Sequence, residues 1–323
     1  MNASAHIGCA LAAMVIVTSA SAQGYPTRPI RVIAPFAPGG GVDFMARMIG
    51  QKLTDALRQP VIVDNRTGNG GILGTEIAAR AAPDGHTLIL GNNSTHGVSQ
   101  AVSAKLPFDT INDFAPISLI ASAPHLLLTS NTVPAKTVRE FIDLAKSRPG
   151  QLNYGSSGLG SQTQMSSELL KWVTGMNIVE IPYKGVAPGF TALMSGEIQL
   201  MFASLPSSIP HVRSGRLRSL AITGEKRSTL MPDMPTLHEQ NVSGFETGPW
   251  YGLLAPAKTP AAIITRLNTE IVKIVATPDM QEKFSSQGAE PIGGTPAQLA
   301  DTVKKEVAKW SALVKYLQSR AKN

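Results

Sequence analysis

Between residues 29 and 90, short apolar runs alternate with helical patterns. The runs 29–35, 60–63 and 87–90 are rich in β-branched and other apolar residues, which favours strands. Between them, apolar residues recur at a spacing of four, which predicts a helix from near Asp43 and a shorter one that ends before Pro83. The positions expected to face the core are Met45, Ile49, Leu53 and Leu57 in the first helix and Leu73, Ile77 and Ala81 in the second. This alternation predicts a parallel sheet with helices on both faces.

A second series of strands and helices follows. Thr137 is placed to cap a helix, and a turn-rich segment at 224–248 precedes the last strand of the series. The apolar runs that predict strands lie at 152–154, 178–181, 198–202, 217–223 and 250–254. Two or three helices close the chain. The last of them should bury Leu299, Val303, Val307, Trp310, Val314 and Leu317.

These two series predict an α/β protein with two domains, each a mostly parallel sheet flanked by helices. The closing helices have no strands of their own, so we expect them to pack on the first unit. Domain 1 then comprises residues 23–124 and 245–323, and domain 2 comprises residues 125–244. The chain crossings near 122–126 and 243–248 would form a hinge. In such folds a ligand binds in the cleft beyond the carboxyl ends of the strands.

The N-terminal 22 residues have the pattern of an export signal. They contain no Lys, Arg, Asp or Glu, and the apolar stretch 9–17 is too short to span a bilayer. Ala20-Ser21-Ala22 has the small-residue pattern of a signal-peptide cleavage site. Residues 1–22 are therefore predicted to be a signal peptide, cleaved after about Ala22, which places the mature protein in the periplasm. Cys9 is the single cysteine, so no disulfide framework is possible.

Composition narrows the possible functions. The chain is 43% hydrophobic with a mean hydropathy of +0.04, which fits a globular protein. The 29 Lys and Arg residues exceed the 22 Asp and Glu residues by seven, but they are scattered, and aromatic residues make up only 5%. A nucleic-acid groove needs clustered cations and stacking rings, so we expect no nucleic-acid partner.

The familiar catalytic and cofactor motifs are absent from the sequence. There is no G-x-x-x-x-G-K-[ST] segment, and Leu73 stands where a dinucleotide-binding G-x-G-x-x-G would need its third glycine. A nucleophile elbow fails because Leu159 follows Gly158. The six histidines have no metal-binding spacing. We therefore predict a binding protein rather than an enzyme, with no cofactor and no metal.

Glycine- and hydroxyl-rich loops follow several of the predicted strands. Each lies between a strand and a helix N-terminus, where unpaired backbone N–H groups can hold an anion without a cation. Any one of them could be an ordinary turn, but their presence in both units favours an anion site. Lys184 is the only full cation close to these loops in sequence.

With these loops identified, the chain resembles the tripartite tricarboxylate transporter substrate-binding family, also called the Bug or TctC family. The resemblance includes the first glycine loop, Pro38-Gly39-Gly40-Gly41, and spans nearly the whole mature chain in order and spacing. The matching segments are 25–43, 59–71, 83–88, 158–161, 181–185, 232–236 and 250–256.

The resemblance implies a type II periplasmic binding protein of the Venus-flytrap kind. Such a protein captures a small carboxylate (a di- or tricarboxylate, an amino acid or an aromatic acid) and delivers it to the permease subunits of a tripartite transporter; we expect a monomer. Asp43 would hold water at the ligand carboxylate or brace the loop, or it would only cap the helix. The implied ligand-binding residues are Phe36, Ala37, Pro38, Gly39, Gly40, Asp43, Ser94, Thr95, His96, Ser157, Gly160, Ser161, Tyr183, Lys184, Gly185, Ala203 and Ser204.

Two departures from the family pattern leave the ligand open. Gln164 stands where the family usually has a histidine, and Ala203-Ser204 stands where Asp-Asn is frequent. The second change removes a charge and an amide from the cleft wall. Two alternatives to transport also remain. The protein could present its ligand to a membrane kinase as a sensor subunit, or it could be an enzyme that uses Asp43, His96 or Lys184.

Overall fold

The chain is described by a computed structural model that covers residues 24–36, 38, 41–103, 105–158, 161–183, 186–224, 226–242, 245, 247–286 and 288–321. The predicted signal peptide, residues 1–22, lies outside the described residues. Within the ranges given, no helix is both long enough and apolar enough to cross a bilayer.

The first part of the chain supplies most of one sheet. Its elements are β1 (Ile30–Ala34), α1 (Gly41–Leu57), β2 (Val61–Asn65), α2 (Ile72–Ala79), β3 (Thr87–Asn92), α3 (Ser99–Val102) and β4 (Phe114–Ser122). A 3-10 turn, Asn69–Gly71, precedes α2, and a π-helical turn, Ser94–Val98, precedes α3. All four residues predicted for the inward face of α1 are buried.

The middle of the chain forms the second sheet, and the end returns to the first. The middle elements are β5 (His125–Ser130), α4 (Val138–Ser147), β6 (Asn153–Ser156), α5 (Gln162–Thr174), β7 (Val179–Pro182), α6 (Val186–Ser195), β8 (Leu200–Ser204), α7 (Leu205–Arg213) and β9 (Leu217–Ile222). The closing elements are β10 (Trp250–Pro256), α8 (Ala261–Val275), α9 (Pro278–Ser286), β11 (Glu290–Pro291) and α10 (Pro296–Ala321).

Among the described residues, the strand order is β11-β4-β10-β3-β1-β2 in the first sheet and β7-β6-β8-β5-β9 in the second. The α/β class is confirmed, but the prediction that each sheet is mostly parallel is wrong, because both are mixed. β1 pairs in parallel with β2 and β3, and β6 with β7 and β8, whereas β4, β5, β9 and β10 pair antiparallel. Strands joined by helical crossovers are parallel. β5 and β10 instead enter their sheets from the other sheet without a helical crossover, and each runs antiparallel to both of its neighbours.

The exposed side of α2 differs from the prediction. Leu73, expected to face the core, is 47% exposed, and Gly74, Thr75 and Ala78 face the sheet instead. Gly74 explains this orientation: a Cβ there would lie 2.6 Å from the Arg66 carbonyl oxygen. Only glycine permits so close an approach of helix and backbone. α2 therefore packs on the sheet through the face that carries its small residues.

The last helix packs on both units, not only on the first. Leu299 and Val303 of α10 join the core on the first sheet, whereas Trp310 and Leu313 are buried in the core of the second. Further along, Tyr316 stacks on Trp172 of α5 with ring centroids 5.6 Å apart. α10 thus links the two sheets on one side of the molecule.

The two chain crossings lie side by side. The backbone N–H of Ala123 donates to the Pro249 carbonyl at 2.7 Å, which joins the segment between β4 and β5 to the segment before β10. The N–H of His125 donates to Thr223 Oγ1 at 2.9 Å, and the N–H of Thr223 donates to the His125 carbonyl at 2.9 Å. The two crossings are therefore hydrogen-bonded to each other and to the residue that follows β9.

Candidate functional site

The loop after β1 leads directly into the N-terminus of α1. Of its predicted ligand residues, Phe36 and Pro38 are described, while Ala37, Gly39 and Gly40 lie outside the described residues. A Cβ on Gly41 would lie 2.5 Å from the hydroxyl oxygen of Tyr251 in β10. The Tyr251 hydroxyl therefore lies beside the amide end of α1, and burial raises its pKa to about 12, so it stays a neutral donor.

Asp43 holds this loop through side-chain contacts. It is the third residue of α1 and only 4% exposed. Arg47, one turn later, places its guanidinium 3.0 Å from Asp43 Oδ1 and donates from Nε to Oδ2 at 3.1 Å. Asn65, at the end of β2, donates from Nδ2 to Asp43 Oδ1 and to the Phe36 carbonyl, both at 3.0 Å. Asp43 thus braces the loop, which is one of the roles expected for it.

The loop after β3 is stabilised by a reciprocal pair. The N–H of Asn92 donates to Thr95 Oγ1 at 3.0 Å, and the N–H of Thr95 donates to Asn92 Oδ1 at 3.1 Å. Ser94 is half-buried in the turn between them. Because Thr95 is buried and bonded within the loop, its hydroxyl fixes the shape of the loop.

His96 directs its ring into the core of the first sheet. The ring packs edge-on against Phe114 at 4.7 Å between centroids and is fully buried. Burial lowers the pKa of His96 to about 3, so the imidazole is neutral at physiological pH. The side chain is therefore not a cation for an anionic ligand, and its Nδ1 atom lies 2.9 Å from Thr95 Oγ1 in the same loop.

Loops from three strands of the first sheet converge at Gly71. A Cβ on Gly71 would lie 2.8 Å from Thr95 Cγ2 and 3.1 Å from Phe36 Cζ. The Phe36 ring and the Thr95 methyl group therefore both contact this glycine, which has φ +96°. The predicted ligand residues of the first and third loops are thus brought together at Gly71, which was not among the predicted ligand residues.

The loop after β6 caps helix α5. Ser161 is the N-cap, and its Oγ accepts from the N–H of Gln164 at 3.2 Å. The N–H of Ser157 donates to Thr163 Oγ1 at 2.8 Å, and the Ser161 and Thr163 hydroxyls lie 3.0 Å apart. Gly160 lies outside the described residues. Hydroxyl groups therefore define this wall, at the positive end of a helix dipole.

Glu180 anchors the same loop from the neighbouring strand. Ser156 donates from Oγ to Glu180 Oε1 at 2.6 Å, and Gln164 donates from Nε2 to Glu180 Oε2 at 2.8 Å. The N–H of Gly158 in turn donates to Ser156 Oγ at 3.1 Å. Gln164, at the position where the family usually has a histidine, therefore binds a carboxylate of this chain.

The remaining predicted residues lie at the ends of β7 and β8. Tyr183 donates from its hydroxyl to Glu197 Oε1 at 3.0 Å; burial, followed by the bond to Glu197, raises its pKa to about 12. Ser204 is the N-cap residue of α7 and shares a 2.8 Å hydrogen bond with Ser207, while Ala203 is buried in β8. Lys184 and Gly185 lie outside the described residues.

Two amide side chains meet between the walls. Asn93, in the loop after β3, donates from Nδ2 to Oε1 of Gln162, the first residue of α5. Asn93 is 1% exposed. Its Oδ1 atom and the Gln162 Nε2 atom are both buried without a hydrogen-bond partner. Each of the two amides therefore has one polar group left over where the loop after β3 meets α5.

Several residues that shape this site were not predicted from the sequence. The residues that contact or position the loops but were not predicted are Arg47, Asn65, Asn93, Gln162 and Tyr251. The sequence marks only the pair of Asp43 and Arg47, as opposite charges at the i, i+4 spacing of a helix. The others are brought in by the fold. Across the ranges that the structure describes, no group of three or more His, Cys, Asp or Glu residues is placed to hold a metal.

The amino-acid sequence of this chain is similar to a known protein family and to individual proteins over nearly its whole length. The family model described as "Tripartite tricarboxylate transporter family receptor" matches residues 45–318. Protein BugT of Bordetella pertussis (strain Tohama I) is 36% identical over 319 residues, which cover 98% of this chain and 98% of that protein.

Two solved structures share the fold at similar identity. An R. palustris protein solved with adipate is 36% identical, with a TM-score of 0.76 over 90% of this chain and 97% of its own. MatC from Rhodopseudomonas palustris, solved with bound malate, is 34% identical, with a TM-score of 0.74 over 90% of this chain and 100% of its own.

Proposed function

Because the chain belongs to the tripartite tricarboxylate transporter receptor family, we propose that it is an extracytoplasmic solute-binding protein for a small carboxylate. The ligand would lie between the loops after β1 and β3 on one side and the loops after β6, β7 and β8 on the other. Backbone amides and hydroxyls of these loops would bind it, and the protein would deliver it to the permease subunits of a tripartite transporter.

The observation that carries this proposal is the unmet amide pair between the walls. Asn93 Oδ1 and Gln162 Nε2 are buried without partners; Asn93 precedes the π-helical turn 94–98, and Gln162 is the first residue of α5. A helix N-terminus attracts an anion through its free N–H groups and its dipole. An anion with its own polar groups would therefore satisfy both the N-terminus of α5 and the two amides.

The charges around these loops also fit a small carboxylate. Arg47 is already paired with Asp43, and Glu180 is bonded to Ser156 and Gln164. A ligand would thus be held chiefly by neutral donors, which suits one or two carboxylate groups better than a highly charged phosphate. The two neighbours described above, solved with adipate and with malate, support a carboxylate as the ligand class.

Several finer features belong to the same proposal. We infer that the protein binds its ligand without chemical change, acts as a monomer, and is exported to the periplasm with cleavage after about Ala22. We also infer two lobes, residues 23–124 with 245–323 and residues 125–244, that close on the ligand. The hydrogen bond between the two crossings, from Ala123 to Pro249, supports a hinge at 123–125 and 247–249.

A carboxylate screen of the purified mature chain tests the proposal. A ligand at 100 times its Kd stabilises the folded state by about 2.7 kcal/mol, which is readily seen as a rise in melting temperature. We expect at least one small carboxylate to raise the melting temperature and to be recovered unchanged, as judged by NMR of the ligand. Stabilisation only by phosphates or sugars, or turnover of the acid, would contradict the proposal.

A further inference from the structure

Glu180 lies on β7, the edge strand of the second sheet, beside the strand that leads into the loop after β6. β7 pairs in parallel with β6, and this register sets Glu180 opposite Tyr154. The Glu180 carboxylate accepts from Ser156, the last residue of β6, and from Gln164, in the first turn of α5. Glu180 thus connects the strand before the loop to the helix after it.

A chain of hydrogen bonds runs from Glu180 into this loop. Ser156 donates its hydroxyl proton to Glu180 Oε1 at 2.6 Å, and its Oγ accepts from the N–H of Gly158 at 3.1 Å. The Gly158 carbonyl in turn accepts from the N–H of Ser161 at 3.1 Å. Gly158 has φ +104° and is therefore held on both of its peptide groups. The chain ends at Ser161, the N-cap of α5.

The carboxylate of Glu180 sets the direction of this chain. A carboxylate only accepts hydrogen bonds, so the Ser156 proton points toward it, and a hydrogen bond to a charged acceptor is stronger than one between neutral groups. Ser156 is fully buried. Without its acceptor, the hydroxyl could turn its proton toward Gly158 and leave the Gly158 N–H without a partner.

We propose that Glu180 is a positioning residue for anion binding, which acts through Ser156 and Gly158 to hold the loop after β6 in the shape that receives a ligand carboxylate. This role rests on the proposed function, because the loop is one wall of the proposed cleft. Neither Ser156 nor Gln164 carries a charge, so these donors do not cancel the negative charge of Glu180. The charge alone would repel an anionic ligand, whereas the hydrogen bonds favour its binding.

Two substitutions of Glu180 separate the effect of its hydrogen bonds from that of its charge. Glu180→Met removes the charge and both acceptors, so affinity should fall at least about tenfold although a negative charge is lost. Glu180→Gln also removes the charge, but it keeps an oxygen for Ser156, and its NH₂ can donate to Gln164 once that amide is reversed. Its affinity should stay within about threefold of that of the natural chain. Titration calorimetry of the mature chain with succinate, malate, citrate, glutamate and benzoate measures these affinities.

Ser156→Ala tests the same chain of hydrogen bonds with the charge of Glu180 in place. It removes the link to Gly158, so it should weaken binding as Glu180→Met does, and it provides the test if Glu180→Met does not fold. Glu140→Met is the matched control in the same lobe. It removes a carboxylate that accepts from the N–H of Lys136 at 2.6 Å, and it should leave every affinity unchanged.

Hydrogen exchange of the Gly158 amide, measured by NMR without ligand, reports the state of the loop directly. The amide should exchange at least about tenfold faster in Glu180→Met and in Ser156→Ala than in the natural chain. In Glu180→Gln it should stay protected, because the Ser156 hydroxyl keeps its acceptor.

The outcomes separate this role from the proposed function. Tighter binding in Glu180→Met, or equal losses in Glu180→Met and Glu180→Gln, would overturn the positioning role while carboxylate binding stands. Unchanged affinity with a lower melting temperature would also overturn it, because the hydrogen bonds would then serve only the fold. If the natural chain binds none of these acids, the proposed function is contradicted and the positioning role falls with it. Weaker binding and faster Gly158 exchange in both Glu180→Met and Ser156→Ala, with Glu180→Gln close to the natural chain, would support both.

Discussion

Asp43 and Arg47 form a two-point ion pair on the first turns of α1, with the guanidinium 3.0 Å from Oδ1 and Nε 3.1 Å from Oδ2. The two residues differ greatly in exposure, since the Asp43 side chain is 6% exposed and the Arg47 side chain 55%. Asn65 bonds the same carboxylate and the Phe36 carbonyl. The pair therefore connects the stability of the helix to the shape of the first ligand loop.

Asp43→Asn should lower the free energy of unfolding by about 1–2 kcal/mol. The new amide NH₂ would face Arg47 Nε, donor against donor, in a nearly buried position. Affinity for the carboxylate should fall as well, because the first loop loses its brace. Urea denaturation and calorimetry measure the two effects. Asp143→Asn, in the exposed pair with Arg139, is the matched control and should cost less than about 0.5 kcal/mol.

Ser161→Asp should separate helix capping from ligand binding. Aspartate is as good an N-cap as serine, so stability should change by less than about 0.5 kcal/mol. A fixed negative charge at this helix end would repel a ligand carboxylate, and affinity should fall at least about tenfold. Thr137→Asp makes a similar change at the N-cap of α4 and should leave affinity unaltered. Equal affinities in the two variants would place the ligand elsewhere.

Gly71→Ala should weaken both stability and binding. The added Cβ would lie 2.8 Å from Thr95 Cγ2 at a φ of +96°, so the loops at Phe36 and Thr95 must shift. We expect a loss of about 2 kcal/mol in stability and about tenfold in affinity. Gly215→Ala also places a side chain at positive φ, but with nothing within 4 Å. It should cost only about 1 kcal/mol and leave binding intact.

Two buried histidines should make the protein less stable as the pH falls from 6.5 to 5. Burial lowers the pKa of His96 to about 3 and that of His125 to about 4, whereas an unfolded histidine titrates near about 6.5. Between these values only the unfolded chain takes up the proton, so stability rises with pH and is lost as the pH falls. Each histidine should contribute about 1–2 kcal/mol over this interval.

The measurement is the difference in unfolding free energy between pH 7 and pH 5. In His125→Asn this difference should be smaller than in the natural chain, even if the variant is less stable at both pH values. His238, which is exposed, provides the control, and His238→Asn should leave the difference unchanged. A natural chain that is equally stable at pH 7 and pH 5 would show that these imidazoles are protonated when folded.

Helices and strands whose apolar positions face one side could be predicted from the sequence. The helix with Met45, Ile49, Leu53 and Leu57 and the parallel strands around β1 and β6 formed as predicted. β4 and β5 escaped prediction because they follow each other without a helix between them, at Phe114–Ser122 and His125–Ser130. A scheme based on strand–helix alternation has no place for two successive strands.

The candidate site was predictable only where its residues share a loop. Ser161 as a helix cap could be expected from its position before Gln162 and Gln164, because a serine there is a common N-cap. The contact of Asn93 with Gln162 joins residues 69 positions apart. Neither amide has a local pattern that marks it, and the crossing of the chain between two sheets decides that they meet.

β10 occupies the centre of the first sheet, between β3 and β4, although it comes from residues 250–256. A chain is synthesised from its N-terminus onward. β3 and β4 therefore lack their shared neighbour, β10, until residue 256 has been made. A fragment that ends earlier has the three paired strands β3, β1 and β2, while β4 lacks both of its neighbours, β10 and β11. The first sheet can therefore be completed only after the whole second sheet, β5 to β9, has been made.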